Sequence, residues 1–274
     1  MKHIGILYQP KRVEAIEFSS RVEKFLNARG IDTWRCSAWE PQKAKQRING
    51  TDLLLSIGGD GTILRAARTV VPDSVPILGI NLGRLGFMAE LEATEALKKL
   101  PLLLNGKGWV EERAILEVEL ISQGKKLYAL NEVFVGRRSS ARLVNIDCKI
   151  DGALLTTYRA DGVIVATASG STGYALAAGG PILHPQAREI ILIPVCAHFT
   201  FDKALTLPEK TTVELIVTTT HEAMVSIDGQ TELQLQSGDT IRAKRSPYTA
   251  KFLRIQPKTY FYKSLDSKLK RKIV

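Results

Sequence analysis

The chain has 274 residues, 45% of them hydrophobic and 24% charged, and carries a formal net charge of +10. That is an ordinary globular composition with room for a sizeable core and two domains, at about 100–200 residues each, and it excludes a disordered or low-complexity chain. Cys36, Cys148 and Cys196 are odd in number and outside any C-x-x-C spacing, which excludes a disulfide framework and a zinc site.

In chain order, residues 4–9 read as a strand. Residues 13–29 read as a helix, with Phe18, Val22, Phe25 and Leu26 on one face and Gly30 as its stop. Residues 31–34 and 52–57 read as further strands, the second one apolar throughout and so buried on both faces. A glycine turn at 58–62, a helix over 62–69 and a strand at 76–80 follow. This alternation predicts an α/β domain with a doubly wound parallel sheet, whose ligands lie beyond the carboxyl ends of its strands. Pro101 and the Asn105-Gly106-Lys107-Gly108 turn mark a boundary. Beyond it, alternating residues at 116–121 and 145–150, and Asp-Gly turns at 151–152 and 228–229, predict hairpins in a β-sandwich-like C-terminal domain. The expected domains are 1–104 and 105–258, followed by a basic tail, 259–274, that reads either as a docked C-terminal helix packing back on the α/β domain or as a mobile end.

The positive excess gathers at Lys125-Lys126, Arg137-Arg138 and residues 263–272, with no RNP or zinc-finger pattern. Attraction of a polyanionic small molecule accounts for it, so no nucleic-acid partner is expected. Residues 1–8 are too brief an apolar run for a secretion signal, and the longest apolar run, 190–197, falls short of the ~20 residues of a spanning helix. A cytoplasmic protein without a membrane partner is expected.

Gly58, Gly59 and Gly61 surround Asp60 between the buried strand and the helix. Glycine lets another group approach the main chain, and the first amides of a helix attract phosphate. The stretch reads as a phosphate cradle with an embedded carboxylate, or as a tight turn in which Asp60 or Thr62 caps the helix. Residues 81–87, Asn-Leu-Gly-Arg-Leu-Gly-Phe, bare backbone beside the cation Arg84, or form a plain loop with a packed Phe87. Asn131-Glu132 sits in an apolar stretch, where an amide and a carboxylate are costly unless paired. The amide suits a base edge and the carboxylate a ribose, or the two are a polar pair at a strand end. In 159–181 a buried strand ends in hydroxyl and glycine residues and leads to a small-residue helix. There Tyr174 could lie against a flat ring while Thr172 holds polar edges, or Tyr174 packs in the core. No Walker loop, G-x-G-x-x-G, H-E-x-x-H or G-x-S-x-G is present, and the four histidines are scattered. Hydrolase and metalloprotease readings lose their support, and no metal ligands are assigned.

In identity, order and spacing, GGDGT at 58–62, NLGRLGF at 81–87, NE at 131–132, RADG at 159–162 and GSTGYALAAGGPILHP at 170–185 resemble the NAD kinases. GGDGT alone is shared with diacylglycerol kinases; the later motifs carry the resemblance. It implies Mg²⁺-dependent transfer of the terminal phosphoryl group of ATP, or of polyphosphate, to the adenosine 2′-hydroxyl of NAD by a homodimer or homotetramer. Asp60 would be the base, with Gly58, Gly59, Gly61 and Thr62 on the donor phosphates. Asn131 and Thr172 would hold the adenine edge, Tyr174 its ring and Glu132 the ribose. Arg65, Arg142 and Arg159 match cationic positions, Asp161 and Gln230 lie toward the dinucleotide, and Gly61, Gly173, Ala175, Leu176 and Ala177 complete that set. Gly173 replaces an expected alanine, and Ala168-Ser169 an expected proline-threonine. The competing readings are a lipid or diacylglycerol-type kinase using the same loop, and a noncatalytic NAD(P) sensor.

Overall fold

In the computed structural model the chain opens as β1 (His3–Tyr8), α1 (Val13–Asn27), β2 (Asp32–Ser37), α2 (Pro41–Ile48), β3 (Leu53–Gly58), α3 (Asp60–Thr69), β4 (Ile77–Asn81), a two-residue β5 (Leu91–Glu92) and α4 (Ala93–Leu104), of which α2, β5 and α4 are not among the elements expected from the sequence. The structure describes residues 1–83, 86–138, 142–219 and 221–270. Arg84, read above as a cation beside the glycines, and the tail beyond Lys270 lie outside the described residues.

Beyond β6 (Trp109–Leu120) the chain is almost all strand: β7 (Lys125–Ala129), β8 (Glu132–Arg137), β9 (Val144–Ile150), β10 (Ala153–Ala160) and β11 (Gly162–Ala166). After the short α5 (Tyr174–Ala177) come β12 (Ile190–Val195), β13 (Leu205–Leu207), β14 (Thr212–Val217), β15 (Ala223–Ile227), β16 (Thr231–Leu235) and β17 (Thr240–Arg254), and the chain then enters α6 (Tyr260–Lys270). The chain forms two compact units, Met1–Glu112 with the residues from Ala250 onward, and Arg113–Thr249. The boundaries expected from the sequence are 104/105 and 258/259. The chain passes between units within β6 and again within β17, so a strand and not a loop carries each crossing.

In the first unit β2, β1, β3 and β4 pair side by side and in parallel, and the end of β17 adds to β4 through Phe252 opposite Ile77. The order 2-1-3-4 places the topological switch point between β1 and β3, where connections leave to opposite faces. Strand alternation sends Ile4, Ile6, Leu53, Leu55 and Ile57 to one face, against Ala15, Phe18, Val22 and Leu26 of α1 and Ala96, Leu100 and Leu103 of α4. On the other face Gly79 lies so close to Ile63 of α3 that a Cβ there would meet the Ile63 methyl at 2.5 Å.

Pro101 does not break the chain as expected: α4 runs through it to Leu104. A mid-helix proline forgoes one hydrogen bond and costs ~3 kcal/mol. Burial of Leu100 and Leu103 on either side offsets this at ~1.5–3 kcal/mol for each side chain.

In the second unit the antiparallel order is β13-β12-β11-β8-β15-β16, with β10-β9-β14 and the opening of β17 forming a further antiparallel run and β6 pairing β7. Val133, Val135, Val163, Val165, Ile190 and Leu192 of the first run share a core with Val144, Ile146, Leu215 and Ile241 of the second. The opposite face of the first run carries Ile164, Ala166, Ile191 and Ile193, covered by Ala175 of α5. The Asp-Gly hairpin turns are as expected: Asp151 and Gly152 have φ of 49° and 84°, Asp228 and Gly229 of 52° and 61°. No helix among the described residues is long and apolar enough to cross a membrane.

Candidate active site

Asp60 opens α3 at the carboxyl end of β3, on the β1/β3 switch point, where the Gln9 amide donates to the carbonyl of Ile57 at 3.0 Å. Helix capping is not what its side chain does. Gly59 is the N-cap, and no side chain caps the helix. Instead the two Asp60 carboxylate oxygens accept main-chain amides from the loop after β4: Phe87 donates to Oδ2 at 3.0 Å and Met88 to Oδ1 at 3.3 Å. Gly86 explains how that loop comes so near, since a Cβ there would overlap the Asp60 carboxylate.

The glycines divide in role. Gly58 packs onto Thr62 so tightly that a Cβ would overlap the buried Thr62 hydroxyl, whereas nothing stands within 4 Å of a Cβ built at Gly59 or Gly61. The open side of the loop is therefore at 59 and 61, at the positive end of the α3 dipole. Arg65, one helical turn on, stacks 4.2 Å above the Trp39 ring and forms no ion pair among the described residues. Partial burial holds its guanidinium below the usual arginine range.

In the second unit Asn131 and Glu132 stand at the start of β8, and Glu132 is opposite Ala166 at the end of β11. The Asp228 carboxylate holds their backbone, accepting amides from Leu130 at 3.0 Å, Asn131 at 2.8 Å and Glu132 at 3.1 Å. From the other side the Asn131 carbonyl accepts the Thr167 amide at 2.8 Å, and the Thr167 hydroxyl donates to the Leu130 carbonyl at 2.5 Å. Gly170 lies directly on the Asn131 carbonyl, leaving no space for a side chain. Thus the backbone is fully engaged while the Asn131 Oδ1 is buried without a hydrogen-bond partner. Such an acceptor is costly unless a ligand meets it.

Tyr174 follows a single 3-10 turn over Gly170–Thr172 and is 42% exposed, its ring tilted 60° against Phe134 of β8 with centroids 5.5 Å apart. Burial and then the nearby Asp161 carboxylate push the Tyr174 phenol above its usual value, so it stays neutral at physiological pH. Asp161 itself pairs with Arg137 at 3.0 Å. A half-open aromatic face can stack a flat ring, and a buried amide oxygen and a carboxylate close to Gly173 can accept hydrogen bonds from its edge or from hydroxyl groups.

A family model of the ATP-NAD kinase N-terminal domain matches residues 28–108, and one of the ATP-NAD kinase C-terminal domain matches residues 130–255. The NAD kinase of Dehalococcoides mccartyi strain CBDB1 is 44% identical over 273 residues, spanning 98% of this chain and 96% of that protein. The chain belongs to the NAD kinase family. The NAD kinase of Chloroflexus aggregans is 40% identical over 274 residues, 99% of each chain. Among solved structures, an NAD kinase from Archaeoglobus fulgidus in complex with ATP superposes with a TM-score of 0.79 at 27% identity, covering 98% of this chain and 99% of that one. Yeast NADH kinase complexed with NADH shares the fold, with a TM-score of 0.83 at 24% identity over 98% and 87% of the two chains.

Within this NAD kinase the second unit brings Asn131, Glu132, Thr172, Gly173 and Tyr174 together on the outer face of one sheet. Of the short α5, Ala175 is buried beneath that face while Leu176 and Ala177 continue the turn. Gln230 closes the β15–β16 turn through its amide to the Ile227 carbonyl. Arg142 and Arg159 are exposed, and no ion pair joins either to this cluster among the described residues. Four groups escaped the sequence reading: the Phe87 and Met88 amides, the Asp228 carboxylate, the Arg254–Glu90–Glu111 cluster described below, and Lys268. In α6 the Lys268 ammonium lies 5.5 Å from the Phe87 ring centroid and 5.3 Å from that of Tyr260. Phe87 lies in the 81–87 stretch, Asp228 in an Asp-Gly turn and Lys268 in the basic tail, all marked in the sequence, but none was assigned the contact it makes here.

Proposed function

We propose that this NAD kinase moves the terminal phosphoryl group of ATP to the 2′-hydroxyl of the NAD adenosine ribose, with Asp60 as general base. The observation that carries this reading is the Asp60 carboxylate, oriented through both oxygens by the Phe87 and Met88 amides beside the open glycine positions. Each oxygen retains acceptor capacity, so the carboxylate can take the hydroxyl proton while still held. The new bond joins the ribose oxygen to the γ-phosphorus, the bond from that phosphorus to the β,γ-bridging oxygen breaks, and ADP leaves. Base assistance of this kind contributes about 10²–10⁴ in rate.

Gly59 and Gly61 amides at the start of α3 would receive the donor phosphates, with Gly58 and Thr62 shaping the turn beneath them and Arg65 one turn further on. Asn131 and Thr172 would read the adenine edge, Tyr174 would lie on the ring, and Glu132 would accept ribose hydroxyls. Asp161, Gln230, Arg142 and Arg159 would serve the outer parts of the dinucleotide. Among the described residues no three His, Cys, Asp or Glu side chains converge as a metal cage. Mg²⁺ would enter on the donor phosphates and neutralise their charge, since this ion keeps its waters and binds few protein carboxylates.

The test is direct. Purified protein incubated with NAD, Mg²⁺ and ATP is expected to form NADP, read with an NADP-specific dehydrogenase; polyphosphate in place of ATP defines the donor. Asp60→Asn should retain NAD binding and lose turnover at least a hundredfold, in line with the range above. Turnover within a few fold of the parent removes Asp60 from the base role, and NAD binding without any NADP from either donor leaves the sensor reading. Homodimeric or homotetrameric assembly in the cytoplasm belongs to the same reading, and light scattering on that sample reads the assembly.

A further inference from the structure

Three ionisable side chains are buried together in the first unit: Arg254 at the end of β17, 6% exposed, Glu90 at 4% and Glu111 at 10%. Arg254 meets Glu111 in a two-pronged pair, Nε to Oε2 at 3.1 Å and Nη2 to Oε1 at 3.4 Å, and its Nη1 reaches Glu90 Oε2 at 3.2 Å. Burying such ions is costly, and well-packed apolar side chains of similar volume often serve stability as well or better. The cluster calls for a reason beyond stability.

That reason lies in what the charges hold. Arg254 Nη1 donates to the Met88 carbonyl at 2.8 Å. Glu90 Oε1 accepts the amides of Ile255 and Gln256 at 2.8 and 2.7 Å, and the Glu90 amide donates to the Gly79 carbonyl of β4 at 2.9 Å. The segment 88–90 is thus bound side chain to main chain in both directions. Its near end supplies the Met88 amide, and the adjoining residue the Phe87 amide, that hold the two oxygens of Asp60. Met88 is the link: its carbonyl is fixed by Arg254 and its amide by Asp60.

We propose that Arg254, acting with Glu90, is a positioning residue for Asp60, clamping the Met88 main chain so that the Phe87 and Met88 amides fix the orientation of the carboxylate. The inference rests on the base role of Asp60. A planar guanidinium is suited to the task because it spans two carboxylates and a carbonyl at fixed angles, which a lysine ammonium does not do. Loosening the clamp leaves the fold's charges paired in part but lets the base swing, and small losses of alignment are expensive in rate.

The experiment is a double-mutant cycle on the full-length enzyme. Arg254→Lys is expected to lower kcat about tenfold with KM for NAD within about twofold, because NAD recognition is assigned to residues of the other unit. In an Asp60→Asn background the same substitution is expected to change kcat less than about twofold, since there is no longer a base to orient. Equal fold-losses in both backgrounds, or an unchanged kcat in Arg254→Lys whatever its melting temperature, overturns the proposal. Glu90→Gln, which keeps an acceptor for the Ile255 and Gln256 amides, carries the same cycle if Arg254→Lys fails to fold. Parent-level turnover in Asp60→Asn alone instead refutes the base role, so the two failures are told apart.

Discussion

Asp228 stands at a hairpin corner with φ of 52°, a conformation aspartate tolerates better than most residues, and from there its carboxylate gathers three successive amides at 130–132. Hydrogen bonds to a charged group contribute about 1.5–3 kcal/mol, and buried donors left unmade cost about 1–3 kcal/mol. Asp228→Asn keeps the backbone preference but turns an NH₂ toward at least one donor. It is expected to lower the unfolding free energy by about 2–4 kcal/mol in denaturant titrations, on those same magnitudes. It should also raise KM for NAD, because Asn131 and Glu132 lose their common anchor. An unchanged denaturation midpoint would show that the three amides find other partners. Both effects belong to one side chain that the turn pattern explains only in part.

At the scale of elements, the 3-10 turn over Gly170–Thr172 and the start of β8 are interlocked. Thr167 Oγ1 accepts the Ser169 and Gly170 amides at 3.1 and 3.3 Å, and the Asn131 carbonyl sits where a Gly170 side chain would be. The obstacle is main chain, which cannot rotate away as a side-chain tip can. Gly170→Ala is therefore expected to displace the turn from β8, costing about 1–3 kcal/mol of stability as overpacking does. NAD affinity should fall by an order of magnitude or so in a titration, with that cost as the source. Wild-type affinity in this variant would mean that the interlock has no part in binding. The helix expected to carry Tyr174 is shorter than its composition suggests, spanning only Tyr174–Ala177. Glycines at 170, 173, 179 and 180 leave only a short run between them, and glycine disfavours helix by about 1 kcal/mol.

Across the whole molecule, two buried acids of the second unit are expected to contribute to the loss of stability at high pH. Burial pushes the Cys148 thiol up to about 12 and raises the Tyr158 phenol, with Cys148 nearby as a lesser cause. Unfolded, these groups titrate near 8.5 and 10. The folded state favours their neutral forms, so the contribution is complete below the unfolded value and is lost as pH climbs toward the folded one. For Cys148 that window runs from about pH 8.5 to about 12, with a slope of at most ~1.4 kcal/mol per pH unit. Melting temperature should thus fall from pH 9 to 10, by a few degrees for a chain of this size, and less steeply in Cys148→Ala. Parallel curves for the two proteins would assign the alkaline slope elsewhere.

Much of this molecule was written in short strings. The α/β character, the buried strand before GGDGT and the Asp-Gly hairpins follow from neighbouring residues, because helix faces, strand alternation and turn preferences act over a few positions. The family resemblance was legible for the same reason. What Asp60 does with its side chain was not, nor the passage of α4 through Pro101. Phe87 is 27 positions from Asp60, Asp228 is 97 from Asn131, and Arg254 is 164 from Glu90. Residues so far apart carry no mutual signal in a single chain: hydrogen-bond partners and burial are properties of the packed sheet, and only when β17 lies beside β4 does a guanidinium meet the loop that holds the base.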